Sequence, residues 1–360
     1  MVSPTTFLTE GSRIFVKSLQ NRFAPQKFAG NANEICKEII DLCFNGHYFQ
    51  TSLRNFSQFW TRDFGFCTQS LVQLGHKEKV HQTLRYALNR FQQKGFITTT
   101  ITPQGAPYDF PRMAVDSLPW LMHSIRVSSF PIYNYKDFLR KQVALFVQLI
   151  VDPKTGLVYS DKQFSSIKDF SIRHSSCYDN CMLGLLSHEL DLLKLENPLK
   201  KYDYSNLLVK YFWSGKYFYD DLQKKDYVAG DANLFPFLLG VVSDKDMLHK
   251  AFSSMEDAGL VGPFPLKYTA QRKEVRFIWQ EVIMRNYESN AIWMHMGPLY
   301  VKLLKSVDEE KAKMYKEKYS ELIEKAGNFL EVYEANGKPY ANVYYHCDQG
   351  MLWAANYLTL

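Results

Sequence analysis

At 360 residues, 46% hydrophobic and 15% aromatic, the chain has ample apolar surface for a large core and is far too apolar to be disordered. The 43 basic and 37 acidic side chains give a formal charge of +6 without a run of five like charges, so a nucleic-acid-binding tail is excluded. No window approaches the ~18 to 20 apolar residues of a membrane span, and residues 1–15 have neither a basic start nor an apolar signal core, so a soluble, unexported protein is expected.

Apolar residues recur at helical spacing throughout, and alternating runs long enough for strands are few. The pattern predicts helices near 32–44, 63–75, 77–94, 114–128, 135–151, 178–194, 203–213, 231–243, 245–257, 288–305, 308–329 and 346–358. Connections alternate between short punctuation, such as Leu74-Gly75-His76, and long aromatic-rich loops at 95–113, 152–177, 214–230 and 258–287. Twelve helices linked in this way suggest helical hairpins in a ring, with the long loops gathered on one face around a pocket. Leu234, Phe235, Pro236, Phe237, Leu238 and Leu239 leave no polar face, as an inner helix of such a ring requires. No repeat period is visible. With 14 Pro and 18 Gly, long linkers are not expected, and 1–360 reads as a single domain with 1–30 an N-terminal extension packing on it.

The cysteines Cys36, Cys43, Cys67, Cys177, Cys181 and Cys347 form no CxxC pair, and Cys177 with Cys181 at i, i+4 lacks nearby His partners for a metal. Reduced, buried thiols are expected, which favours the cytoplasm. GxGxxG, GxxxxGK[ST], HExxH and GxSxG are all absent, so dinucleotide, phosphate-loop, zincin and serine-hydrolase readings lose their support. No ligand cluster demands a metal, and no cofactor is implied.

What remains is carboxylates among aromatics. Asp63 follows Trp60 and Arg62, Asp116 precedes Trp120, Asp179 follows Tyr178, and Glu331 lies in Phe329-Leu330-Glu331-Val332-Tyr333. Each sits at or just outside a predicted helix end, where an acid also serves as a cap. Together they match a carbohydrate pocket, because carboxylates bind hydroxyls, aromatic planes stack on sugar rings, and two acids can cleave a glycosidic bond.

The segment Trp60-Thr61-Arg62-Asp63-Phe64 resembles the Trp and Arg-Asp signature of the inverting glycosidases with an (α/α)6 barrel, the clan of trehalases, processing α-glucosidase I with mannosylglycerate hydrolase, and neutral invertases. Ser176-Cys177-Tyr178-Asp179-Asn180-Cys181 is similar to the motif that opens the clan's sixth helix, with Cys177 in place of the usual glycine and Cys181 in place of serine. Phe329-Leu330-Glu331-Val332-Tyr333 with Asn336-Gly337 resembles the segment bearing the general base. Weaker likenesses follow in order at Val115-Asp116-Ser117, Gly230-Asp231-Ala232-Asn233-Leu234-Phe235 and Trp293-Met294-His295-Met296-Gly297-Pro298.

The resemblance implies an all-α six-hairpin toroid and an inverting, exo-acting α-glycosidase on a short glucoside or related disaccharide. It implies Asp179 as general acid and Glu331 as general base. Trp60, Arg62, Asp63, Tyr108, Asp116, Trp120, Tyr178 and Trp293 are then the candidates for holding the sugar, with core packing the competing role of the tryptophans. His174, His295 and His346 are candidates for the pocket lining, and Arg173 for holding an acidic group such as a glycerate. Competing readings are a non-catalytic sugar-binding barrel, a glycoside phosphorylase or isomerase on the same fold, and a terpene cyclase, which would need a DDxxD motif that is absent.

Overall fold

The structure is a computed structural model, and it describes residues 4–274 and 283–360. Thirteen α-helices occur among the described residues. Helix α1 spans Pro4–Phe23, and twelve further helices form six hairpins: α2 (Ala32–Cys43) and α3 (Thr61–Gln73), α4 (Lys77–Lys94) and α5 (Ser117–Val127), α6 (Lys136–Ile150) and α7 (Cys177–Leu192), α8 (Tyr204–Phe212) and α9 (Gly230–Leu238), α10 (Lys245–Asp257) and α11 (Gly297–Leu304), and α12 (Glu309–Ala326) and α13 (Ala354–Leu358). The second helix of each hairpin belongs to an inner ring. In that ring α3 packs on α5, α5 on α7, α7 on α9, α9 on α11, α11 on α13, and α13 closes back onto α3. The first helices lie outside, each against the inner ring, with α2 on α13. The fold is the expected all-α toroid.

The two rings differ in sequence because they differ in burial. Every residue of α9 from Gly230 to Phe237 is buried, and α7 is buried continuously from Cys177 to Leu186. Outer helix α12 buries only Ala312, Tyr315, Tyr319 and Ile323, one stripe at three- and four-residue spacing. Helix ends carry local stop and start signals: a capping box of Asn31 and Glu34 opens α2, Asp308 caps α12, and Gly327 closes α12 at φ +61°. All six cysteines are buried and unpaired.

Three expected helices are shorter than their periodicity suggests. The 231–243 helix ends at Leu238, with Gly240 at φ +66° turning the chain away. The 288–305 helix begins only at Gly297, because Ile292–Trp293 pairs as β4 with β5 (Val332–Tyr333). The 346–358 helix is reduced to Ala354–Leu358, because the segment before it is tied to the α2–α3 connection, whose Asn55 and Phe56 N–H groups donate to the Asp348 carboxylate. A second small sheet joins β1 (Phe59–Trp60), β2 (Thr100–Ile101) and β3 (Pro107–Tyr108), with Trp60 opposite Thr100 and Thr100 opposite Tyr108. Helix α1 within 1–30 lies on the loop face. Asn21 Nδ2 donates to Asn55 Oδ1 at 3.0 Å, and the Ser18 hydroxyl accepts the His346 N–H at 2.6 Å.

Candidate active site

The long loops converge on one cavity of about 60 Å³. From the α2–α3 connection and the start of α3 come Trp60, Arg62 and Asp63; the α6–α7 loop supplies Ile167 and Asp169. The α10–α11 connection supplies Tyr287, Glu288, Trp293 and His295, and the α12–α13 connection supplies Glu331 and Trp353.

Arg62 is the hub. Its guanidinium lies 3.6 Å from Asp63, 3.6 Å from Asp116 and 3.4 Å from Asp169, and donates to the carbonyl of Ser166 at 2.5 Å. Burial opposes its charge, yet these three carboxylates hold its pKa well above the usual value. Asp63, in the first turn of α3, complements the helix dipole and accepts the indole N–H of Trp353 at 3.1 Å. Burial still raises its pKa against the pull of Arg62.

Glu331 precedes β5, fixed through its main chain by the Glu331 N–H to Asp348 O bond (3.1 Å) and the Met294 N–H to Glu331 O bond (3.1 Å). Three donors converge on its carboxyl: the Tyr287 hydroxyl on Oε1, and the Tyr345 hydroxyl (2.7 Å) and Asp348 N–H (2.8 Å) on Oε2. Burial, reinforced by the Asp348 carboxylate, nevertheless lifts its pKa to about 8. Across the site Asp169 accepts from the Ser165 hydroxyl at 3.0 Å, and burial, opposed by Arg62 and assisted by Glu288, lifts it to about 7. Glu288 accepts from the N–H groups of Phe170 and Ser171 and from the Ser171 hydroxyl, so it fastens the loop that carries Asp169. Its pKa is raised by burial against those three bonds.

The walls are aromatic. Trp293 donates its indole N–H to the Tyr287 carbonyl at 2.7 Å and packs edge-on with Tyr287 at 4.5 Å. His295 stands 5.1 Å from the Trp353 ring and stacks on Phe66. Burial and the neighbouring Arg62 push its pKa well below the ordinary value, so the imidazole is neutral. Among the described residues no group of three or more His, Cys, Asp and Glu side chains could hold a metal ion.

Of the sequence candidates, Trp60, Arg62, Asp63, Trp293 and Glu331 meet at this cavity; Tyr108, Asp116, Trp120, Tyr178 and Asp179 are not among its lining residues. Asp116, Trp120 and Tyr178 form a buried chain: the Trp120 indole donates to the Tyr178 hydroxyl at 3.2 Å, which donates to Asp116 at 3.2 Å, which faces Arg62. Asp116 is held at about 6 by burial, opposed by Arg62 and raised further by Asp179. Trp120 also presses on Gly65, where an added Cβ would meet it at 2.5 Å, so packing is its role.

Asp179 sits in the first turn of α7, its N–H capped by the Ser176 hydroxyl at 3.0 Å, with Oδ1 buried and unbonded among the described residues. The α6–α7 loop places Asp169 at the wall instead. Tyr108 lines a different cavity. Arg173 spends its guanidinium on Asp231 (2.9 Å), Asp220 (3.5 Å) and the Ser166 hydroxyl (2.6 Å) and is not among the lining residues of the cavity. Of the three histidines, His295 alone lines the cavity. Sequence reasoning missed Asp169, Tyr287, Glu288 and Trp353; Asp169-Phe170 inside a long loop and Tyr287-Glu288 at the start of the expected 288–305 helix carry the same acid-beside-aromatic signal.

No protein-family model matches the chain, and no curated protein matches it either. Solved structures do. A rhamnosidase from Klebsiella oxytoca with rhamnose bound superposes with TM-score 0.60 at 11% identity, over 92% of this chain and 65% of its own. The likeness is one of fold. A bacterial glucoamylase complexed with acarbose gives 0.62 at 14% identity, over 90% of this chain and 54% of the glucoamylase. The GH63 mannosylglycerate hydrolase from Thermus thermophilus in complex with Tris gives 0.57 at 12%, over 91% of this chain and 98% of its own. This chain thus spans less than two thirds of the rhamnosidase and about half of the glucoamylase, and nearly all of the mannosylglycerate hydrolase. The toroid agrees in architecture with the clan that the sequence motifs resemble.

Proposed function

We propose that the chain is a glycoside hydrolase working by inversion, with residues 1–360 acting as one catalytic domain in the cytoplasm on a short α-glycoside. The observation that carries this reading is the pair Asp169 and Glu331, two carboxyls with raised pKa values on different loops of one aromatic-walled cavity. Asp169 protonates the departing glycosidic oxygen, and Glu331 takes a proton from the attacking water on the opposite face of the ring. Arg62 and Asp63 bind sugar hydroxyls, while Trp60, Trp293 and Trp353 offer ring faces. The small cavity suits an exo-acting enzyme that takes one terminal sugar. Asp179, the acid suggested by resemblance, is assigned to the buried layer behind the wall.

Inversion needs the acid and base roughly 6.5–9.5 Å apart, leaving room for water. The test is incubation with α-linked disaccharides, glucosylglycerate and mannosylglycerate, following the first-formed anomer by NMR. Release of the inverted anomer, abolished by Glu331→Gln, is the expected result. Saturable binding without turnover of any member would replace the reading by a non-catalytic sugar-binding barrel.

The higher pKa of Glu331 favours one second reading, with Glu331 the proton donor and Asp169 the base. An aryl glycoside with a good leaving group separates the two, because only the variant lacking the acid regains turnover on it.

A further inference from the structure

A second cavity, of about 1100 Å³, opens beside the first and is the larger by far. Its floor is buried and apolar, built by Tyr108, Leu118 and Phe146; its rim is exposed, with Leu8 at 67%, Phe96 at 51% and Leu149 at 38%. Two of the polar groups within it are already engaged, while the buried Ser117 hydroxyl has no hydrogen-bond partner among the described residues. The Gln142 side chain accepts the Ile97 N–H at 3.0 Å and donates to the Gly95 carbonyl at 2.9 Å, and Asp109 accepts the Thr99 N–H at 3.1 Å. The cations Lys94 and Arg112 are both exposed. Such a lining recognises an apolar body of drug or lipid size.

The partition between the two cavities is thin. In the β1–β2–β3 sheet Trp60 faces Thr100 and Thr100 faces Tyr108, so a wall residue of the first cavity and a floor residue of the second stand two strands apart, roughly 10 Å. Phe110 has its ring 5.7 Å from Trp60 and 5.6 Å from Phe170 and is flanked in sequence by the groove residues Asp109 and Pro111.

We propose that this groove receives the apolar aglycone of a glycoside whose sugar occupies the first cavity, making the substrate an alkyl or polycyclic glycoside. The inference rests on the hydrolase reading for the sugar end, and on the groove's own lining for the rest. It explains why the chain exposes Leu8, Phe96 and Leu149 around one opening. The groove also gives Tyr108 a ligand-facing role that the first cavity does not.

The test uses the full chain and two ligand types. Fluorescence titration with 11-(dansylamino)undecanoic acid is expected to saturate at one site, and to weaken at least about tenfold in the doubly substituted Phe96→Ser, Leu149→Ser protein, since one buried methylene is worth about fourfold. Both positions are exposed, so the variant folds; Leu145→Trp, filling the groove, is a second route to the same loss. n-Octyl α-glucoside is expected to displace the probe at least about tenfold better than n-octanol or methyl α-glucoside. Trp293→Ala should weaken the octyl glucoside and leave octanol unchanged. Unsaturable probe binding, or binding untouched by either groove variant, overturns the groove. Probe binding with octanol equal to octyl glucoside overturns the link between groove and sugar cavity. Hydrolysis is read separately, so absence of turnover with these binding results intact would strike the catalytic reading alone.

Discussion

The carboxyls of the cavity wall and the buried pair Asp220 and Asp231 behind it differ in the cations they meet. At the cavity wall Asp63, Asp169, Glu288 and Glu331 are accompanied by a single lining arginine, Arg62, which pairs with Asp63 and Asp169. In the layer behind, Asp220 and Asp231 meet two cations: Lys168 stands 3.3 and 3.1 Å from them, and Arg173 stands 3.5 and 2.9 Å away. Burial raises Asp220, but Lys168 and then Arg173 pull its pKa below the ordinary value, whereas the wall carboxyls are all raised. Burial is common to both regions, so the two close cations set Asp220 apart; Asp116 and Asp179, buried behind the wall without that double pairing, are raised like the wall carboxyls. A deficit of positive charge leaves protons to exchange at the wall; balance at the Asp220 and Asp231 pair leaves a fixed scaffold.

The sharpest way to break this comparison is activity. Asp169→Asn and Glu331→Gln should each lower kcat by about 10²–10⁴-fold on a cleaved glycoside, the scale of a lost general acid or base. Lys168→Met should leave any surviving activity of the folded fraction alone but destabilise the protein by about 3–5 kcal/mol, because Asp220 and Asp231 lose a buried partner. Urea denaturation reads that loss, and a drop below about 1 kcal/mol would show that the layer is not a scaffold.

A smaller effect is expected in the pH dependence of stability. Glu331 titrates near 8 in the fold against an ordinary 4.5, so folding favours its protonated form. The resulting penalty is absent below about pH 4.5 and grows as pH rises towards 8. Glu331→Gln should therefore gain in Tm relative to the wild type across that window and show no gain below it. A gain independent of pH would mean that the glutamate is not the titrating group.

The least effect is expected from Asp179→Asn, whose Oδ1 makes no hydrogen bond among the described residues. It should keep kcat within a few-fold, and a loss as deep as that of Asp169→Asn would return the acid role to the buried layer.

The sequence carries the ring because helical periodicity survives wherever one face is buried. It hides α1 for the inverse reason: that helix buries Glu10, Ser18 and Asn21 and exposes Leu8, Val16 and Phe23, so its polarity points the wrong way for a periodicity argument. About half of the site could be read from motifs. Arg62, Asp63 and Glu331 announce themselves beside helix or strand starts. Asp169 and Glu288 do not, since their places are set by contacts between loops distant in sequence. Asp179 has the right neighbours in sequence, and its carboxyl, raised by burial, is not among the lining residues of the cavity.

The bonds from Phe170 and Ser171 to Glu288 cross 117 to 118 positions of chain. One side chain therefore supplies the backbone acceptors that a neighbouring strand would otherwise give the acid-bearing loop. Grafting that loop alone onto another toroid would leave two amides without acceptors. The α6–α7 loop and the segment around Glu288 form a single module, to be exchanged together or not at all.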